Sequence, residues 1–260
     1  MSSDSSKYFS GSGDPVRSLA LLWRTPQQRQ PANGRQNLSV DRIVRAAVEV
    51  ADRDGIAVLS MRRVAEQLGV GTMSLYTHVP GKGELIDLML DQVYGEIVEP
   101  TATAAPTDWR GRLSQIAQDN WELFHRHPWI LQIGASRPPL GPNSIVKYER
   151  ELRAVVDIGL TAVEMDTVVN LVIGHAENTA RRDIDASVTE RDSGMTDEQW
   201  WQARAAVLTT RLDPKKYPLA TEVGEAVGTA HGTAYDPRHN FEFGLNRILD
   251  GIETLVASRR

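Results

Sequence analysis

Ser60-Met61-Arg62-Arg63-Val64-Ala65-Glu66-Gln67-Leu68-Gly69-Val70-Gly71-Thr72-Met73-Ser74-Leu75-Tyr76-Thr77-His78 is the stretch that decides the fold. Ser60 is a good N-cap, and Val64, Ala65 and Leu68 form the inward stripe of a short helix. Gly69 supplies the turn conformation that a β-carbon resists. A second short element opens at Thr72, and two short helices joined at a glycine make a helix-turn-helix. Ala65 is small enough for the pair to approach closely, and Leu75 faces back to the core. Thr72, Met73, Ser74, Tyr76, Thr77 and His78 are then left as short or amphipathic side chains able to reach base edges, thymine methyls and phosphates.

On the N-terminal side, Val40, Ile43, Val44, Ala47, Val48 and Ala51 keep the i, i+3, i+4, i+7 spacing of one buried helix stripe, between a Ser39 cap and a Gly55 stop. On the C-terminal side Pro80 and Gly81 interrupt the chain, and a fourth helix follows with Leu85, Ile86, Leu88, Met89 and Val93 as its apolar positions. Pro100 and Pro106 mark a linker after it. Beyond Pro106 helical patterns run throughout: 109–127, 144–158, a long helix from Val163 to about Ile184, one from about Thr196 to Leu212, and a last one over about 238–258. Strand alternation and internal repeats are lacking. The expected fold is all-α: an N-terminal three-helix helix-turn-helix domain (38–98) and a larger helical domain (99–260).

Residues 1–37 are rich in Ser, Gly, Gln, Asn and Pro, with only Leu19 to Trp23 as an apolar island, and read as a flexible, mildly basic arm. Arg17, Arg24, Arg29 and Arg35 are its candidate DNA contacts, to phosphates or in a minor groove. The whole chain of 260 residues has 29 basic and 34 acidic side chains and a net charge of −5. That total does not exclude a nucleic-acid partner, because a total does not locate the charges. Residues 1–90 carry eleven basic against nine acidic side chains, so the acidity lies in the larger domain. With no cysteine, disulfide scaffolds and cysteine-ligated metal sites are excluded. No apolar run approaches the ~20 residues of a membrane span, and the expected location is cytoplasmic.

The run Ser60 to Val70, followed by Ser74-Leu75-Tyr76-Thr77-His78-Val79, Lys82 and Leu85, resembles the DNA-binding signature of bacterial repressors of the tetracycline-repressor type. The helical remainder and Phe241-Glu242-Phe243-Gly244-Leu245 are similar to that family's tetracycline-repressor C-terminal subgroup. The resemblance implies an Ω-shaped homodimer with two heads on a palindromic double-stranded operator and a small-molecule pocket in each C-terminal domain. It implies that Arg62 contacts bases or phosphates, that Thr72, Met73 and Ser74 enter the major groove, and that Tyr76, Thr77, His78 and Lys82 meet the backbone. Met73 and Thr77 depart from the bulkier residues of the tetracycline repressor, so the operator should differ. Gln132 and Val98 stand where that repressor's ligand-contacting histidines fall, which disfavours magnesium-tetracycline.

An effector pocket needs apolar walls with a few polar groups. Asn120, Trp121, Phe124, Trp129, Gln132, His175 and Asn178 are the candidates, and they suit a small, moderately apolar effector, aromatic ones included. The apolar stripes of the long and last helices, Val168, Leu171, Val172, Phe241, Leu245, Ile248, Leu249 and Ile252, are expected to pair across a two-fold axis as a four-helix interface, with Gly174, Gly244 and Gly251 permitting close approach. His125 and His127 lie two apart on a helix and cannot easily share an ion, so no metal or cofactor is expected. The alternatives are an all-helical enzyme, for which no matched nucleophile and base stands at persuasive spacing, and an effector-free constitutive DNA-binding dimer.

Overall fold

The computed structural model describes residues 8–25, 38–98, 108–134 and 137–259. Helix α2 (Val40–Asp54) begins where the Ser39 hydroxyl accepts the Arg42 backbone N–H and ends at Gly55, φ +84°. Helix α3 (Met61–Leu68) is capped by Ser60, which accepts from the Arg63 N–H, and Gly69 closes it in the left-handed conformation at φ +68°. Helix α4 (Thr72–Tyr76) follows at once. Ile43, Ala47, Val64, Ala65 and Leu75 are all buried, so the short pair folds around the stripe of α2.

Helix α5 (Lys82–Val98) packs both against α2 of the head and against the helices of the body, burying Leu85, Met89, Leu90 and Val93. The body comprises α6 (Trp109–Arg126), α7 (Pro142–Arg153), α8 (Ala162–Ser193) and α11 (Pro237–Ala257), which pack on one another and on α5. Helix α8 has 32 residues and spans about 48 Å. It opens with a reciprocal capping box between Thr161 and Glu164. Helices α9 (Asp197–Arg211) and α10 (Pro218–His231) bury no residue and stand apart from this core. Helix α10 is not among the expected helices, although Leu219, Val223, Ala226, Val227 and Ala230 keep a helical spacing along it.

The expected arm needs correction. Residues 8–25 form a short strand β1 (Tyr8–Phe9) and helix α1 (Pro15–Leu22), packed on the body. Strand β1 pairs in parallel with β2 (Ile133–Gly134), Tyr8 opposite Ile133 and Phe9 opposite Gly134. The apolar island orders this segment because Leu22 is buried in the common core. Arg29 and Arg35 lie outside the described residues.

The expected dimer face also needs correction. Val168, Val172, Phe241, Leu245, Leu249 and Ile252 are buried within the protomer, where α8 and α11 pack against each other. The most regular apolar stripe of each helix serves its own core. Leu171 alone of the eight is exposed, and Ile248 is half-buried. Gly244 likewise permits a close approach inside the protomer, since a β-carbon there would stand 2.3 Å from the His175 ring.

Candidate DNA-reading head and ligand cavity

The outer surface of the head carries Met73, 77% exposed, with Tyr76, Ser74 and Thr77 also exposed around it. Met73 is the second residue of this helix and lies opposite the fully buried Leu75, so its side chain adds nothing to the core. Thr72 and His78 are half-buried at the edges, and the Thr77 hydroxyl donates to the Ser74 carbonyl at 2.7 Å. The Arg62 side chain is 83% exposed, and its Nε lies 2.9 Å from Glu66 Oε1. That exposed pair is weak enough for the guanidinium to exchange it for another acceptor.

Lys82 and Arg24 are placed differently from expectation. Lys82 donates from Nζ to the Leu59 carbonyl, 4.1 Å from the centre of the Tyr8 ring, and burial lowers its pKa. Its charge is directed inward and not toward a phosphate. Arg24, half-buried, pairs with Asp41 on α2. Of the described arm cations proposed for DNA, Arg17 remains exposed.

In the body a cavity of about 550 Å³ lies among α5, α6, α7 and α8. Of the seven predicted lining residues, Asn120 and Phe124 border it. Trp121 packs instead, with tilted rings, on Phe241 and His125, and the His175 ring lies 2.9 Å from the Phe241 carbonyl. Trp129 is fully buried and donates from Nε1 to Asp52 at 2.7 Å, while Gln132 and Asn178 point to the surface.

The walls that residue type does not foretell are polar. Lys147 and Glu151 form a buried ion pair along α7, and Asn120 donates to the same Glu151 oxygen at 3.3 Å. Asp166, Asn170, Ile173 and Glu177 present one face of α8 to the cavity, spaced by three or four residues. The Tyr148 hydroxyl donates to Asp166 at 2.9 Å, and this bond raises its pKa. Tyr94 on α5 is held protonated by burial, then by the negative charges of Glu151, Glu177 and Asp91. Its ring lies 5.4 Å from Lys147 Nζ. Polar residues at i, i+4 and i+11 within a long apolar helix were the available sequence signal.

A second polar cluster ties body to head. His127, buried at the end of α6, lies 2.7 Å from Asp52 on α2 through Nδ1 and 3.2 Å from Glu96 on α5 through Nε2. Its neighbour His125 is half-buried and lies 2.8 Å from Asp183. No group of three or more His, Cys, Asp or Glu with metal-holding geometry occurs among the described residues. Among these residues, too, no helix is long and apolar enough to cross a membrane.

Residues 43–89 match the family model described as bacterial regulatory proteins, tetR family, and 102–256 match the tetracyclin repressor-like C-terminal domain. The chain is 43% identical over 252 residues to the HTH-type transcriptional repressor DrrR1 of Streptomyces coeruleorubidus, covering 96% of this chain and 90% of that protein. Its fold is similar to ActR of Streptomyces coelicolor, solved without ligand (TM-score 0.68, 26% identity, 88% of this chain and 100% of ActR). ActR solved in complex with actinorhodin aligns equally well (TM-score 0.68, 27% identity, 82% of this chain and 94% of ActR).

Proposed function

Because the chain belongs to the tetR family of bacterial regulatory proteins, we propose that it is a transcriptional repressor whose homodimer binds a palindromic operator and is released by a small molecule. The observation that carries the operator reading is the exposed Met73, flanked by Ser74, Thr77 and Tyr76 and adjoined by Arg62, on a helix fixed from behind by Leu75. Met73 meets thymine methyls, Arg62 takes a guanine edge or a phosphate, and Thr72, Ser74, Tyr76, Thr77 and His78 complete the contact. Such a protein acts on chromosomal DNA in the cytoplasm. It is a regulator and not an enzyme, a reading supported by the transcriptional regulators that it matches over most of its length.

The second head comes from a second copy. Leu171 on α8 and Phe243 and Leu255 on α11 are exposed apolar side chains on the two helices expected to pair, and they are the contacts of the two-fold interface. A β-carbon added at Gly251 would meet no atom within 4 Å, so that position lies open to a partner helix, whereas Gly174 borders the cavity.

The effector is a polycyclic aromatic molecule with polar edges. ActR binds actinorhodin, and the cavity here joins apolar walls, Leu90, Phe124, Ile130 and Ile173, to Asn120, Tyr94 and carboxylates at its margin. Tyr94 and Leu90 lie on α5, which also packs against α2 of the head, so a ligand against α5 acts on the head directly. The Asp52–His127–Glu96 cluster is a second link across the same junction. Coupling is reciprocal, so operator and effector weaken each other by the same factor.

The test is footprinting on the gene's own upstream region, followed by titration of the complex with actinorhodin and related polycyclic quinones. A salt-sensitive specific footprint supports the operator reading, and its dismissal by at least one of these compounds supports the effector class. A chain that binds no upstream DNA specifically refutes the first, and a complex indifferent to the whole panel refutes the second.

A further inference from the structure

The N-terminal segment touches the head, helix α5 and the cavity rim. On the head, the Tyr8 hydroxyl donates to the Ala57 carbonyl at 3.3 Å, its ring lies against Lys82, and Arg24 pairs with Asp41. On α5, Asp87 accepts from the Ser10 hydroxyl at 3.0 Å and the Gly11 N–H at 2.8 Å, and Glu84 accepts from the Asp14 N–H at 2.9 Å. On the cavity rim, β1 pairs with Ile133 and Gly134, Trp23 Nε1 donates to the Leu140 carbonyl at 3.0 Å, and Ser10 itself lines the cavity.

Two features show that the body is shaped for this segment. Asp87 and Glu84 are buried carboxylates, and the hydrogen bonds they accept among the described residues come from the segment. A buried carboxylate without donors is costly, so these positions make sense only with the segment in place. The backbone also makes room: a β-carbon on Gly83 would stand 2.6 Å from the Gly13 nitrogen, and one on Gly134 would stand 2.5 Å from the Phe9 ring. Close approach of this kind needs glycine.

We propose that residues 8–25 are a coupling strap, which forms part of the effector cavity's wall and holds the DNA-reading head in register with the body. The inference rests on the repressor reading for its purpose. An effector that displaces Ser10, Ile133 or Leu140 pulls on the same segment that fixes Asp41 and the start of α5, so the strap is a third path from ligand to head, beside α5 itself and the Asp52–His127–Glu96 cluster. Ser10 and Arg24 are positioning residues, acting through Asp87 and Asp41.

The chain has no cysteine, so Arg45→Cys on the head and Ser187→Cys on the body, both exposed, accept a spin-label pair without background. Dilution with unlabelled protein leaves one head-to-body distance per molecule, whatever the oligomeric state, operator or effector. The strap is weakened by Ser10→Ala with Arg24→Gln, or removed by deleting residues 2–25. The expected result is a broadened or displaced distance distribution and, on a footprinted operator, an affinity about tenfold weaker. Arg24→Lys, which keeps the charge opposite Asp41, restores both. If the deletion does not fold, the double substitution carries the test. A distribution and an affinity unchanged within twofold in the double variant overturn the proposal, as does equal disturbance by Arg24→Lys. If the parent protein binds no operator, the repressor reading fails while the distance measurement still decides whether the strap holds the head.

Discussion

Lys147 and Glu151 offer the sharpest energetic test of the cavity. Both side chains are nearly buried, at 10% and 5% exposure, one turn apart on α7, and both border the ligand space. Removing one partner strands the other charge, which costs about 3–5 kcal/mol, whereas replacing both with apolar residues of similar volume is neutral or stabilising. For a chain of this size each kcal/mol moves the midpoint by about 2–4 °C, so Lys147→Met should lower Tm by about 6–20 °C. Glu151→Leu strands Lys147 and should act in the same range, while the Lys147→Met/Glu151→Leu double variant should return to within a few degrees of the parent. Thermal unfolding at neutral pH, with urea unfolding to give the free energies, measures all four corners of the cycle. Operator affinity of the double variant, measured well below its midpoint, should match the parent, because neither residue lies in the head. Effector affinity should change, because both residues border the cavity. A double variant as unstable as either single one would refute the reasoning, since the stranded charge would then not be the source of the cost. A Lys147→Met loss below about 1 kcal/mol would do the same by showing that the pair is effectively solvated.

Other consequences are equally direct. Leu171→Glu combined with Phe243→Glu places unpaired charge in the proposed interface and should weaken dimerisation by about a hundredfold or more in analytical ultracentrifugation, with the protomer still folded by circular dichroism. A dimer unaffected by the pair would move the interface elsewhere. Arg62→Ala should weaken operator binding by about 1–3 kcal/mol, and if it meets a phosphate it should lower the salt slope of log K by about 2 for the two heads, whereas Lys82→Met should leave that slope unchanged because its ammonium faces Leu59. A salt slope lowered by Lys82→Met would contradict this placement. Glu164 is held at a pKa of about 2, chiefly by Arg259 and then by Thr161, against the usual 4.5. A lowered carboxylate pKa contributes stability that is complete above 4.5 and lost as the pH falls through about 2, so the Tm difference between parent and Glu164→Gln should be constant from neutrality to about pH 5 and shrink below it.

What the sequence disclosed and what it concealed divides by range. The helix-turn-helix is legible because its determinants are local: Ser39 and Ser60 as caps, Gly69 as the left-handed stop, Leu75 as the inward residue of α4. The strap is not legible, because its anchors are backbone N–H groups and single side chains that meet Glu84 and Asp87 some seventy residues away. A polar, glycine-rich segment reads as unfolded unless its partners are known. The dimer face misleads for a different reason. A regular stripe identifies the buried side of a helix without saying whose core buries it, and on α8 and α11 it is the protomer's own. The cavity is half-visible, since Asn120 and Phe124 follow from residue type, while the Lys147–Glu151 pair becomes conspicuous only once both are known to be buried.

These corrections bear on how the charge of the molecule is used. Residues 1–90 carry a small excess of basic side chains, but two of them do not face outward to DNA. Arg24 is held by Asp41, and Lys82 by Leu59 and the Tyr8 ring. Near the turn, Arg53 and Arg63 both bond Asp54, whose pKa they hold at about 2. Cations that could have served as phosphate contacts are instead committed to holding the head together and to the strap. The head therefore depends less on unspecific attraction and more on the exposed side chains of α4 with Arg62, and its orientation depends on contacts that pass through the strap. The cations left exposed, Arg17, Arg42, Arg45 and Arg62, carry the salt-sensitive part of operator binding, so a change of head angle moves those of the head together with the side chains of α4.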